Sequence, residues 1–157
     1  MNEEYMKEAL REAQKAFELG EIPVGAVVVH EGKIIGRGHN ARQQDQQVTS
    51  HAEMIAIRQA CERLNSWRLD GCAIYVTLEP CPMCAGTIMQ ARIRDVFFAA
   101  EDPKAGAFGG VFDLSVVQGL NSYPLIHQGL MAEEAKNIME MFFTKMRDKR
   151  NKRTGEI

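Results

Sequence analysis

The sequence predicts an α/β domain in three layers, a central mixed five-stranded sheet with helices on both faces. Three features carry that expectation. Apolar residues recur at helical spacing in several stretches, β-rich apolar runs lie between them, and the resulting order α-β-β-α-β-α-β-β-α alternates as layered α/β proteins do. Residues 1–157 contain no repeat, low-complexity tract or interdomain linker, so one domain is expected.

Each element has its own signal. Met6, Leu10, Ala13 and Phe17 line one face of a helix over about 3–19, with Gly20 as its stop. Val24 to His30 is a nearly continuous apolar run, and Glu31-Gly32 before Lys33–Gly36 predicts a tight hairpin. Residues 40–48, polar and Gln-rich, read as loop. Thr49 and Ser50 offer capping hydroxyls to a helix starting near His51, whose buried stripe is Met54, Ile55, Ile57, Cys61 and Leu64. Cys72 to Leu78 reads as a buried strand. Pro82 suits the first turn of a helix running to about Gln90, because an amide donor is not needed there. Asp95 to Ala100 is another strand, and residues 101–110 form a Gly- and Pro-containing loop, followed by a weakly helical or irregular stretch to about Leu120. A short strand at 124–127 precedes a final basic helix over about 132–153.

The 157 residues are 45% hydrophobic and 25% charged, the balance of an ordinary globular domain. A chain of this length can bury roughly two-thirds of its unfolded surface, so it does not need a metal merely to fold, and a metal site here reads as catalytic. No apolar run approaches the roughly 20 residues that span a bilayer, and Met1 to Lys15 lacks a signal-peptide pattern, so a cytoplasmic protein with no membrane partner is expected. Four cysteines are too few for a disulfide scaffold. Residues 144–157 carry six Lys/Arg against two Asp/Glu, a local charge of +4, leaving −6 for residues 1–143. A sequence pI of about 6.1 excludes wholesale coating of nucleic acid but allows a local basic arm on a few phosphates; a solvated helix end is the alternative.

The chemistry concentrates in two places, His51-Ala52-Glu53 at a helix start and Pro80-Cys81-Pro82-Met83-Cys84 at a strand-to-helix turn. One histidine and two cysteines make three zinc ligands. Cysteines at i and i+3 of a first helical turn point the same way, and the helix N-terminus favours their negative charge. Three ligands leave a position for water, the mark of catalytic zinc, and no second C-x-x-C or H-x-x-x-H completes a structural site. Glu53 stands where a carboxylate could carry protons beside the metal. A redox dithiol is the competing interpretation of C-x-x-C, but it leaves His51 and Glu53 without a task. Cys61 and Cys72 read as packing residues.

The H-A-E and P-C-x-x-C pair resembles the zinc-dependent cytidine/deoxycytidylate deaminase superfamily. Ile22–Ala26, Gly38-His39-Asn40, Thr77–Gly86, Asp102-Pro103-Lys104-x-Gly106-Ala107 and Phe142-Phe143 narrow the resemblance to bacterial tRNA-specific adenosine deaminases, over residues 5–150. Phe108-Gly109-Gly110 departs from the pattern, since similar enzymes often carry a small residue, then Gly, then Ser or Thr.

The resemblance implies a cytidine-deaminase-like fold and one zinc ion per chain held by His51, Cys81 and Cys84, with Glu53 as proton shuttle. It implies attack of a zinc-activated hydroxide on C6 of adenine, loss of ammonia, and inosine as product at the wobble position of a tRNA anticodon. By the same resemblance Asn40 hydrogen-bonds the flipped base, the Pro23 segment and Ala52 line its pocket, and Asp102 and Lys104 meet neighbouring nucleotides. Phe143, Lys145, Arg147 and Arg150 would present an aromatic and basic surface to the anticodon stem-loop. Similar enzymes are homodimers, with the metal-bearing helices near the interface. Deamination of a free base or nucleoside by the same machinery, and a non-catalytic zinc-stabilised RNA-binding module, stand as alternatives.

Overall fold

A computed structural model describes residues 2–155; Met1, Glu156 and Ile157, the outermost ends of the predicted domain and basic tail, lie outside the described residues. The elements are α1 (Glu3–Glu18), β1 (Gly25–His30), β2 (Lys33–His39), α2 (Arg42–Asp45), α3 (Ala52–Leu64), β3 (Ala73–Leu78), α4 (Pro82–Gln90), β4 (Asp95–Ala100), β5 (Leu125–Gln128) and α5 (Ala132–Thr154). The sheet order is β2-β1-β3-β4-β5. β1 runs antiparallel to β2 and β3, whereas β3, β4 and β5 are mutually parallel.

Strand alternation sorts the core onto two faces. Ala26 and Val28, Ile74 and Val76, and Val96 and Phe98 point to the face covered by Ala52, Ala56 and Ala60 of α3 and Ile88 of α4. Val27 and Val29, Tyr75 and Phe97 point to the other, against Met6 and Ala9 of α1 and Ala135 of α5. This explains why the β1 run is apolar without alternation: both of its faces are buried. The result is the three-layer arrangement expected. Across the second face, Tyr75, Phe97 and His127 stack with ring centroids 4.3 Å apart at each step.

The hairpin between β1 and β2 turns on Glu31 (φ 49) and Gly32 (φ 76), the doubly positive φ of a type I′ turn. Local departures from expectation have tertiary causes. β2 continues to His39 rather than stopping at Gly36, because its far end still pairs with Gly25. Residues 42–45, expected as loop, form the short α2, since the buried carboxylate of Glu21 accepts the N–H groups of Gln43 (3.2 Å) and Gln44 (2.7 Å). Neither Thr49 nor Ser50 caps α3. Ser50 Oγ instead donates to Asp45 at 2.7 Å, and the Ala52 N–H donates to Asn40 Oδ1 at 3.0 Å from the end of β2. The irregular stretch before Leu120 contains one 3₁₀ turn, Leu114–Val116.

Candidate active site

Two helix N-termini converge on one point. His51 is the N-cap of α3 and Cys81 the N-cap of α4, neither using its side chain to cap, while Pro82 occupies the first turn of α4 as expected. β3 delivers Cys81 and the first turn of α4 delivers Cys84, so both sulfurs face the imidazole. His51 Nδ1 lies 3.6 Å from Cys81 Sγ and 3.5 Å from Cys84 Sγ. The three ligand atoms all lie within 4.8 Å of one another.

These distances fit zinc. With Zn–N near 2.05 Å and Zn–S near 2.3 Å, the N···S edge of a tetrahedron is about 3.6 Å. The donors also suit the ion chemically. The neighbouring Cys84 thiol and His51 pull the Cys81 thiol down to about 4 against its burial, which favours the thiolate form that binds metal. Closeness to Cys81 and burial push Cys84 up, and the Cys81 contact raises His51.

Glu53 lies in the first turn of α3, 4% exposed and beside Cys84. Burial pushes its carboxyl up to about 7, against the opposing pull of its own backbone N–H and of His51. A carboxyl poised near neutrality can both give and accept a proton.

The remaining predicted site residues divide by accessibility. Pro23 and Ala52 are fully buried, and the half-buried Ile22 is the member of its segment that lines a cleft. Asn40 is buried, with Oδ1 held by the Ala52 N–H, and its Nδ2 bonds no other described residue. Asp102 and Lys104 stand on the loop after β4, where Asp102 Oδ1 accepts the N–H groups of Lys104 (3.0 Å) and Ala105 (3.2 Å). That loop and α5 enclose a cleft of about 390 Å³ lined by Asp102, Lys104, Lys136 and Phe143, among others.

The aromatic and basic surface does not hold together as one face. Phe142 packs on Phe17 of α1 (ring centroids 6.1 Å), and Lys145 Nζ sits 5.1 Å over the same Phe17 ring. Phe143, 44% exposed, points to the cleft instead. Arg147 and Arg150 follow Phe143 at i+4 and i+7, so they share its side of the helix, while Lys145 lies on the α1 side.

Sequence reasoning left Glu79 without a role. It is 2% exposed and accepts the N–H groups of Asp102, Phe108 and Gly110. The available signal was an acid at the end of an apolar strand, since a buried carboxylate requires donors. Phe108, where the sequence departs from the family pattern, is buried in the core and gives its N–H to that same carboxylate.

Known proteins match this fold and site. The family described as MafB19-like deaminase matches residues 1–147. The tRNA-specific adenosine deaminase of Bacillus subtilis is 46% identical, covering 95% of this chain and 92% of its own. That of Aquifex aeolicus is 46% identical, covering 94% and 98%. A structure from a study of A-to-I editing by tRNA:A34 deaminases at the wobble position matches with TM-score 0.83 at 41% identity, over 87% of this chain and 99% of that one. A guanine deaminase from Bacillus subtilis matches with TM-score 0.61 at 45% identity, over 64% of this chain and 66% of that one. On these matches the cytidine-deaminase-like fold is established, and the chain belongs to the MafB19-like deaminase family, among the tRNA-specific adenosine deaminases.

Proposed function

We propose that this protein is a zinc-dependent hydrolase that converts adenosine to inosine at the wobble position of a tRNA anticodon. The observation that carries it is the triad of His51, Cys81 and Cys84 beside the buried Glu53, in a chain 46% identical over nearly its whole length to proteins named tRNA-specific adenosine deaminase. His51 Nδ1, Cys81 Sγ and Cys84 Sγ would hold one zinc ion. Bound there, zinc supplies Lewis acidity that brings the pKa of water toward neutrality.

Glu53 moves the protons: its carboxyl gives one to N1 of the adenine ring and passes one to the exocyclic nitrogen, which leaves as ammonia. Water and adenosine are consumed, inosine and ammonia released. Asn40 Nδ2 is the donor available to the flipped base. Asp102, Lys104 and Phe143 meet the flanking nucleotides in the cleft, with Phe143 as a stacking surface and Arg147 and Arg150 on phosphates. We assign the protein to the cytoplasm on its tRNA substrate; among the described residues no helix is long and apolar enough to cross a membrane. A homodimer is the assembly we infer, and the stretch between β4 and β5 exposes the apolar side chains of Val111, Phe112, Val116, Val117 and Leu120 that such an assembly could cover.

The test is incubation with a hairpin RNA of an anticodon stem-loop bearing a wobble adenosine, followed by measurement of inosine. Free guanine runs in parallel, because the likeness to guanine deaminase makes a free purine the second candidate substrate. Guanine turnover without inosine in the hairpin would reverse the assignment.

A further inference from the structure

Glu79 stands two residues before Cys81, at the end of β3, and among the described residues no basic side chain pairs with it. Its charge is met by main chain alone. Oε1 accepts the Asp102 N–H at 3.0 Å, and Oε2 accepts those of Phe108 and Gly110 at 3.0 and 2.9 Å. All three donors belong to the loop that carries Asp102 and Lys104. The loop is shaped around this anion: a Cβ on Gly106 would land on the Glu79 carboxylate, so only glycine admits it. The adjoining Pro80 carbonyl accepts the Ala107 N–H at 2.9 Å, and the Gly106 N–H returns to the Asp102 carbonyl at 2.9 Å. The turn that presents Cys81 and the loop that lines the cleft are thereby one unit, joined at Glu79.

We propose that Glu79 is a positioning residue for substrate choice. It acts through the backbone of the 102–110 loop rather than on the reacting atoms, fixing where Asp102 meets the nucleotide. Charge-assisted hydrogen bonds from backbone N–H groups to a buried carboxylate are strong and directional, and one of them is made by Asp102 itself. Removing the anion releases the loop while leaving the three metal-binding side chains in place.

The experiment compares turnover of matched RNA and DNA hairpins by the zinc-loaded parent, Glu79→Gln and Gly106→Ala. Gln keeps the shape but turns one acceptor oxygen into an N–H₂ that faces a donor; Gly106→Ala drives a methyl group into the unchanged carboxylate and the Asp102 carbonyl oxygen, displacing the same loop by a second route. In both variants the RNA-to-DNA ratio of kcat/KM falls about fivefold or more, with zinc content kept: Asp102 Oδ1 is taken up by the loop amides, while Oδ2 accepts from no described donor and is the acceptor we place at a flanking 2′-hydroxyl, the group that distinguishes the two sugars. That ratio does not depend on the fraction of folded enzyme, so a general loss of stability does not move it. In an Asp102→Asn background, Glu79→Gln changes the ratio less than about twofold, since the two residues act as one unit.

A ratio within twofold of the parent in Glu79→Gln, with zinc retained, overturns the proposal whatever Gly106→Ala shows. Should neither variant fold, amide exchange in the parent decides: the Asp102, Phe108 and Gly110 amides exchange at least about tenfold more slowly than the amide of the exposed Phe112, and equal rates overturn it. Because the proposal rests on an RNA substrate, the parent is the first arm. No inosine from the parent overturns both assignments, whereas inosine with unchanged ratios overturns this one alone.

Discussion

Gly38→Ala tests whether the approach of α3 to β2 sets the metal site. The glycine lies on β2, and a Cβ there would stand 2.5 Å from the Ala52 carbonyl oxygen, 2.8 Å from Ile55 Cβ and 2.9 Å from the Ala56 nitrogen. Two of these contacts are backbone atoms of a helix and cannot swing away. Ordinary contact begins at 3.4 Å, so the first turn of α3 must withdraw by about 0.9 Å. His51 caps that turn, and its Nδ1 must stay within about 0.2 Å of ligation distance to hold zinc. The expected result is a zinc affinity lower by about 10–100-fold, as when an outer partner of a ligand is removed. Overpacking adds a stability loss of about 1–3 kcal/mol. At about 2–4 °C per kcal/mol for a domain of this size, the melting temperature drops by about 2–12 °C. Zinc is read by chelator competition and elemental analysis, melting by circular dichroism. Gly86→Ala, also close to the metal-binding turn, is the control: its Cβ meets nothing within 4 Å, so a helical Ala should leave zinc unchanged and raise stability slightly. A Gly38→Ala protein with parental zinc affinity and a melting temperature within 1 °C of the parent would refute the reasoning.

Three further outcomes follow from the site. His51→Ala, Cys81→Ala and Cys84→Ala should each lose zinc by elemental analysis yet keep their secondary structure, because the two apolar clusters on either side of the sheet do not depend on the ligands; full zinc in Cys84→Ala would contradict the ligand set. Glu53→Ala should bind zinc and fold but lose about 10²–10⁴-fold in kcat, the usual worth of a general acid/base, and activity within threefold of the parent would remove Glu53 from the chemistry. Arg147→Ala with Arg150→Ala should flatten the log–log salt dependence of hairpin binding by about 1.4–1.8, at 0.7–0.9 per phosphate contact. Lys145→Ala, committed to the Phe17 ring, should change it by less than half as much, and equal effects would place both sides of α5 on the RNA.

The sequence by itself determined the order of the elements apart from α2, the helices on both faces of the sheet, and the trio His51, Cys81 and Cys84 that the fold brings together. Met6, Leu10 and Ala13, or Cys81 with Cys84, encode local periodicity, and a helix or strand expresses that period wherever it packs. Most boundaries followed for the same reason. What the sequence could not decide is which distant group satisfies a given polar atom. Thr49 and Ser50 looked like the caps of α3, but Asn40 takes the Ala52 N–H from another element, and α2 exists because Glu21 meets its amides across a gap of some twenty residues. The helical period of α5 already parts Lys145 from Phe143, Arg147 and Arg150; what it could not decide is that the Lys145 side meets Phe17 of α1 while Phe143 faces the cleft. Glu79 is the clearest case, since three of its partners lie 23 to 31 residues away. Hydrogen-bond partners are chosen by proximity after folding, and proximity across elements is a property of the tertiary structure alone.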